Sequence, residues 1–132
     1  MNKVFPAKVV YAHCDIPCGI YTVEPAKTAA MTVVKMVEKL QEADSADVHG
    51  ILRYTAAKER HAQICKEELL ILWTDYFKPE HLAAFPTLHE TFWKAAKLCS
   101  RVKQEVNMEA ATQLKAAVEE IAEMFAKTHA GH

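Results

Sequence analysis

Apolar positions recur along most of the chain at the three- and four-residue spacings that place them on one side of a helix. From about Pro25, residues Ala30, Val33, Val34, Val37 and Leu40 share a face, and Pro25 suits a first helical turn, where its missing N–H costs nothing. The pattern predicts that this helix ends near Asp44-Ser45, which also offers a cap for the next one. A second run, over about 46–76, sets Ile51, Thr55, Ala62, Cys65, Leu69, Leu72, Trp73 and Tyr76 along one drifting stripe, with Gly50 near its start. Lys78-Pro79 stops that run, because proline restricts the residue before it and cannot continue a helix. A short helical turn is expected around 80–84. Pro86 opens a third run with Leu88, Phe92, Ala95, Cys99 and Val102 inward, and Asn107 caps a fourth with Ala111, Leu114, Val118, Ile121 and Phe125 inward. Four long amphipathic helices with short connections predict an all-α fold, an antiparallel four-helix bundle over about 25–129. Apolar residues beyond one stripe, including Trp93 and Phe125, are consistent with subunit contacts.

Composition narrows the function classes. A chain of 132 residues with 51% apolar content fits one domain with its own core. Sixteen Lys/Arg against seventeen Asp/Glu leave a net charge of −1, so there is no basic footprint for nucleic acid. No stretch approaches the roughly 20 apolar residues of a membrane-spanning helix. Residues 1–12 (MNKVFPAKVVYA) stand apart, with two Lys, no acid and no helical period. Val9-Val10-Tyr11-Ala12 is too short for the run of roughly 7–15 apolar residues in a secretory signal. A cytoplasmic location is therefore expected, and 1–12 is read as a short leader, cleaved between Ala12 and His13.

The chemistry is concentrated just after it. Of four cysteines, Cys65 and Cys99 lie on helical stripes and read as core filler. Cys14 and Cys18 lie in His13-Cys14-Asp15-Ile16-Pro17-Cys18-Gly19, where Pro17 and Gly19 force the backbone out of helix. Such a loop can bring two sulfurs to one point. Zinc wants four side-chain ligands, and this segment supplies His13, Cys14 and Cys18, so a distant histidine would have to complete the set. A thiol–disulfide site usually has two residues between its cysteines rather than three. Two thiolates with nitrogen donors in one plane favour a d⁸ ion such as nickel(II). The nitrogens exist if the chain begins at His13, whose free amine and the neighbouring Cys14 amide would complete the plane. That is the reason to expect removal of 1–12.

HCDIPCGIY, residues 13–21, resembles the metal-binding hook of the nickel-containing superoxide dismutases, and LWTDYFKP, residues 72–79, is similar to the end of that family's second helix. The resemblance spans residues 13–132 and implies a bacterial, homohexameric enzyme of four-helix-bundle subunits. It implies conversion of superoxide to dioxygen and hydrogen peroxide by one nickel ion per subunit, cycling between Ni(II) and Ni(III), and a peptidase that exposes the histidine. His13 would supply its amine and imidazole, Cys14 its amidate and thiolate, and Cys18 the second thiolate. Tyr21 would line the substrate approach, as the catalytic residue outside the ligand set. Asp15 and Pro17 would shape the hook, Tyr76 would lie near it, and Lys78 would attract the anionic substrate. Counting back without gaps from Trp73, the family arginine behind the axial histidine falls at His61, and its glutamate partner near Met31. The rival readings are a non-catalytic helical bundle whose N-terminal cysteine pair binds zinc or is incidental, and a small thiol-redox protein. His49, His81 and His89 read as surface residues at helix flanks, and His129 and His132 as a terminal tail.

Overall fold

A computed structural model of the chain describes residues 19–130. Its elements are α1 (Glu24–Glu42), α2 (Val48–Ile71), a π-helical turn (Leu72–Tyr76), α3 (His81–Ala84), α4 (Leu88–Gln104) and α5 (Met108–Ala130), with no strand among the described residues. The all-α expectation holds. Helix α1 packs against α2 and α5, and α4 packs against the same two helices. The four long helices thus form a square, and short connections between packed neighbours make them antiparallel.

The predicted stripes form the core. Val33 and Val37 of α1, Cys65 and Leu69 of α2, Phe92 and Cys99 of α4, and Leu114 and Ile121 of α5 are all buried. Asn107 caps α5 as its sequence position predicts, its Oδ1 accepting from the Ala110 N–H at 2.9 Å.

Three boundaries differ from expectation. The cap of α2 is Asp47, whose Oδ1 accepts from the Gly50 N–H at 3.0 Å, while Asp44 closes a turn by accepting from Ala46 N–H at 2.8 Å. Gly50 is suited to that first turn, because a Cβ there would collide with the Asp47 carboxylate. The second run is α-helical only to Ile71, after which one π turn follows. Helix α4 begins at Leu88, two residues after Pro86. Phe125 is inward, as its stripe predicts, and is buried against Tyr76 with ring centroids 4.6 Å apart, so it is not exposed for subunit contacts. Trp93 is exposed, with Lys97 Nζ 5.7 Å from its ring centre.

A buried lysine was not anticipated. Lys58 occupies the α2 stripe between Thr55 and Ala62 and is 2% exposed. Its Nζ donates to the carbonyls of Val102 (2.6 Å), Lys103 (2.9 Å) and Glu105 (3.0 Å). The last carbonyls of a helix lack partners within the helix, and a cation there also meets the negative end of the helix dipole. Lys58 therefore terminates α4 from a neighbouring helix. Burial lowers its pKa from the ordinary lysine value, and the Glu59 carboxylate partly offsets that.

Candidate metal centre

His13, Cys14, Asp15, Pro17 and Cys18, with the Ala12–His13 junction, lie outside the described residues. The description begins where the hook ends. Gly19 has φ +93°, a left-handed conformation that side-chain-bearing residues rarely adopt, and it turns the chain into Ile20 and Tyr21. Thr22 Oγ1 then accepts from the Glu24 N–H at 3.2 Å and α1 begins.

Tyr21 meets the π turn. Its ring lies edge-on to Tyr76, centroids 5.7 Å apart and planes at 62°. The two sequence blocks that are far apart in the chain are adjacent in space. The π turn is closed by the Phe77 N–H donating to Leu72 O at 3.0 Å, five residues back. Such a turn inserts one residue into the helical register and often marks a functional region. Here it re-aims Tyr76 relative to Leu69 and Leu72, which stay in the core.

Tyr76 is held on several sides. Its hydroxyl lies 2.6 Å from Thr128 Oγ1, and Thr128 in turn donates to Phe125 O at 2.7 Å. With the Thr128 hydrogen so committed, the Tyr76 O–H is the donor. The ring stacks on His81 (6.3 Å, 14°) and meets Phe77 edge-on (5.1 Å, 88°). The Lys78 N–H donates to His81 Nδ1 at 2.9 Å, which fixes the turn carrying half-buried Lys78. His81 is thus a working part of this wall rather than a surface residue, while His49 and His89 are exposed as expected. His89 nevertheless accepts from Trp73 Nε1 at 2.9 Å, and Trp73 stacks on Phe92, tying the turn to α4. Only the Lys78-Pro79 turn, which brings His81 back toward its own helix end, hinted at this.

Replacing Thr128 with valine keeps its shape and removes the acceptor of Tyr76. The expected cost is about 1 kcal/mol of stability. Chemical denaturation measures it, and an unchanged midpoint and slope would mean the bond does not hold Tyr76.

A cavity of about 370 Å³ opens beside this wall, lined by Ile20, Tyr21, Thr22, Glu68, Ile71, Leu72 and Asp75. His61 and Met31 do not contribute charge pairing comparable to arginine with glutamate. His61 Nδ1 bonds the Ala57 carbonyl of its own helix at 2.8 Å, and Met31 is 57% exposed.

Among the described residues no group of three or more His, Cys, Asp or Glu side chains converges as metal ligands. The preceding segment carries two thiols and one imidazole, donors that suit a soft or borderline ion.

A family model described as nickel-containing superoxide dismutase matches residues 8–129. The chain belongs to that family. Its relatives include proteins named superoxide dismutase [Ni] from Streptomyces seoulensis and Streptomyces coelicolor, 40% and 38% identical over 104 residues, covering 78% of both chains in each case. A native nickel superoxide dismutase structure superposes with a TM-score of 0.80 at 32% identity, over 89% of this chain and 98% of that one. A structure with nickel ligation corresponding to the oxidised state gives the same TM-score and coverage at 33% identity. Membership in the nickel-containing superoxide dismutases makes the chain a nickel-dependent oxidoreductase acting on superoxide. Neither the zinc or incidental cysteine pair nor the thiol-redox reading has support among these matches. No helix among the described residues is long and apolar enough to cross a membrane.

Proposed function

We propose that a processing peptidase removes residues 1–12 after Ala12, and that the remaining chain works in the bacterial cytoplasm as a homohexameric superoxide dismutase. The nickel ion is held by the His13 amine and imidazole, the Cys14 amidate and thiolate, and the Cys18 thiolate. When bound, nickel supplies a one-electron couple between Ni(II) and Ni(III), brought into the useful range by anionic sulfur and nitrogen donors.

The observation that carries this reading is the Tyr21–Tyr76 contact at 5.7 Å, which joins the end of the hook to the LWTDYFKP block. Asp15 and Pro17 shape the loop between the two thiols. Tyr21 narrows the approach, so that small diatomic anions pass while larger reductants do not reach the sulfurs. Tyr76, its proton committed to Thr128, acts as a fixed wall behind Tyr21. Lys78, set by the Lys78–His81 bond, adds positive potential that draws superoxide inward. Exposed Met31, Val48, Leu52 and Trp93 supply apolar surface for contacts between subunits.

Intact-mass and metal measurements on protein from its own cell test the reading. The expected result is a chain that starts at His13 and carries nickel in equal number. Nickel held at full occupancy by a chain that still starts at Met1 would overturn the amine assignment, and zinc in its place would favour the rival.

A further inference from the structure

The pair Cys65 and Cys99 is not used by the dismutase site. Cys65 lies on α2 and Cys99 on α4, helices that pack against each other, and both are free thiols with no solvent exposure. The residues that follow them, Lys66 and Ser100, are bonded across the same helix pair, Nζ donating to Oγ at 2.7 Å, which sets the two thiols at one level of the α2–α4 contact. The Cys65 thiol donates to the Ala26 carbonyl of α1 at 3.7 Å. One turn before each cysteine stands an alanine, Ala62 and Ala95, both fully buried, so no bulky side chain separates the two helices at this level. Two thiols at one level of a helix contact differ from two isolated buried cysteines, because oxidation of one leaves the other as its nearest thiol.

We propose that Cys65 and Cys99 are a peroxide-oxidisable pair that closes to a disulfide linking α2 to α4 within one subunit. In the first step a Cys sulfur attacks hydrogen peroxide: the O–O bond breaks, an S–O bond forms, and sulfenic acid and one water result. In the second step the neighbouring sulfur attacks the sulfenic sulfur, the S–S bond forms, the S–O bond breaks and a second water leaves. Two electrons pass from the thiols to peroxide, and both thiol hydrogens end in water. The nearby partner intercepts the sulfenic acid before it reaches the irreversible sulfinic state. Hydrogen peroxide is a product of superoxide dismutation, so its supply in the cell rests on the proposed activity, whereas the reaction itself does not.

The same environment makes the reaction slow. The hydrogen bond with Cys99, burial and the repulsion of a second thiolate all push the Cys65 thiol up, away from the reactive thiolate. Oxidation therefore waits on local opening of the bundle and follows oxidation of the hook thiols, Cys14 and Cys18. Once closed, the bond cross-links two core helices and raises thermal stability.

Added hydrogen peroxide tests this on the whole folded protein, followed by quenching, alkylation in denaturant and peptide mapping of all four cysteines. The expected result is a Cys65–Cys99 linked peptide that accumulates after Cys14 and Cys18 have reacted, together with a raised Tm. In Cys99→Ala the linked peptide is absent and Cys65 remains open to alkylation or is oxidised without linkage. Full alkylation of both Cys65 and Cys99 in wild-type protein whose hook thiols are already oxidised would overturn the proposal. Linkage of Cys65 to Cys14 or Cys18 would overturn it equally. Because peroxide is supplied from outside, a chain without dismutase activity still gives a decisive answer.

Discussion

Replacing Cys14 or Cys18 with serine is expected to abolish nickel binding and superoxide consumption together. A serine hydroxyl stays protonated at neutral pH, so the substitution exchanges a soft anionic donor for a hard neutral one. Thiolate donors select for soft and borderline ions, and metal affinity depends on the ligand being deprotonated. Loss of a group that merely supports a ligand typically costs about 10–100-fold in affinity or activity, and loss of a ligand itself is expected to exceed that. The bundle should be untouched, because the buried core among the described residues begins at Val23. Metal analysis, the sulfur-to-metal absorption bands and stopped-flow superoxide decay measure the outcome, with far-UV circular dichroism as the control for folding. Wild-type activity in either variant would reject the ligand assignment.

Lys58→Met is expected to destabilise the bundle far more than an ordinary substitution of a charged residue. Methionine fills most of the volume of the lysine stem but donates nothing, so the carbonyls of Val102, Lys103 and Glu105 lose their common donor. Hydrogen bonds to charged groups contribute roughly 1.5–3 kcal/mol each, and a buried acceptor left without a partner costs about 1–3 kcal/mol. Part of this is offset because the ammonium no longer needs to be desolvated, the same burial that lowers its pKa. The expected net loss is about 3 kcal/mol, or on the order of 10 °C in Tm. Urea denaturation of the variant and wild type measures it. A variant within about 0.5 kcal/mol of wild type, the range of ordinary surface substitutions, would show that α4 does not depend on this lysine for its end.

Most of the bundle could be read before any coordinates. Val33, Val37, Leu69, Phe92, Leu114 and Ile121 declare their faces by spacing alone, and each is buried. Asn107 is legible as a cap because capping is local, needing only the N–H three residues on. Asp47 was harder, because Asp44 and Asp47 are both suitable acceptors near the same start, and only the path of the chain chooses between them. The π turn at Leu72–Tyr76 has no signature in periodicity, since one inserted residue merely shifts the stripe that the eye follows. Phe125 is placed inward by its stripe, but the ring it packs on, Tyr76, comes from a distant part of the chain and has no signature in spacing.

The candidate site divides in the same way. The proposed ligand set lies within six consecutive residues, His13 to Cys18, and a chelate built from neighbours in the chain needs little help from the fold to be recognised. The wall that follows it is assembled from Tyr21, Tyr76, His81 and Thr128, which share no pattern in sequence.

From the chain alone follow the helical class, the inward faces and the candidate chelating segment, because each depends on residues within a turn or two of one another. Tertiary structure alone decides that Lys58 is an internal cap, that Cys65 and Cys99 share one level of the core, and that Tyr76 stands behind Tyr21. Each of these is a meeting of helices, and the free energy of placing an ammonium, a thiol or a phenol inside a bundle depends on which partner the opposite helix presents.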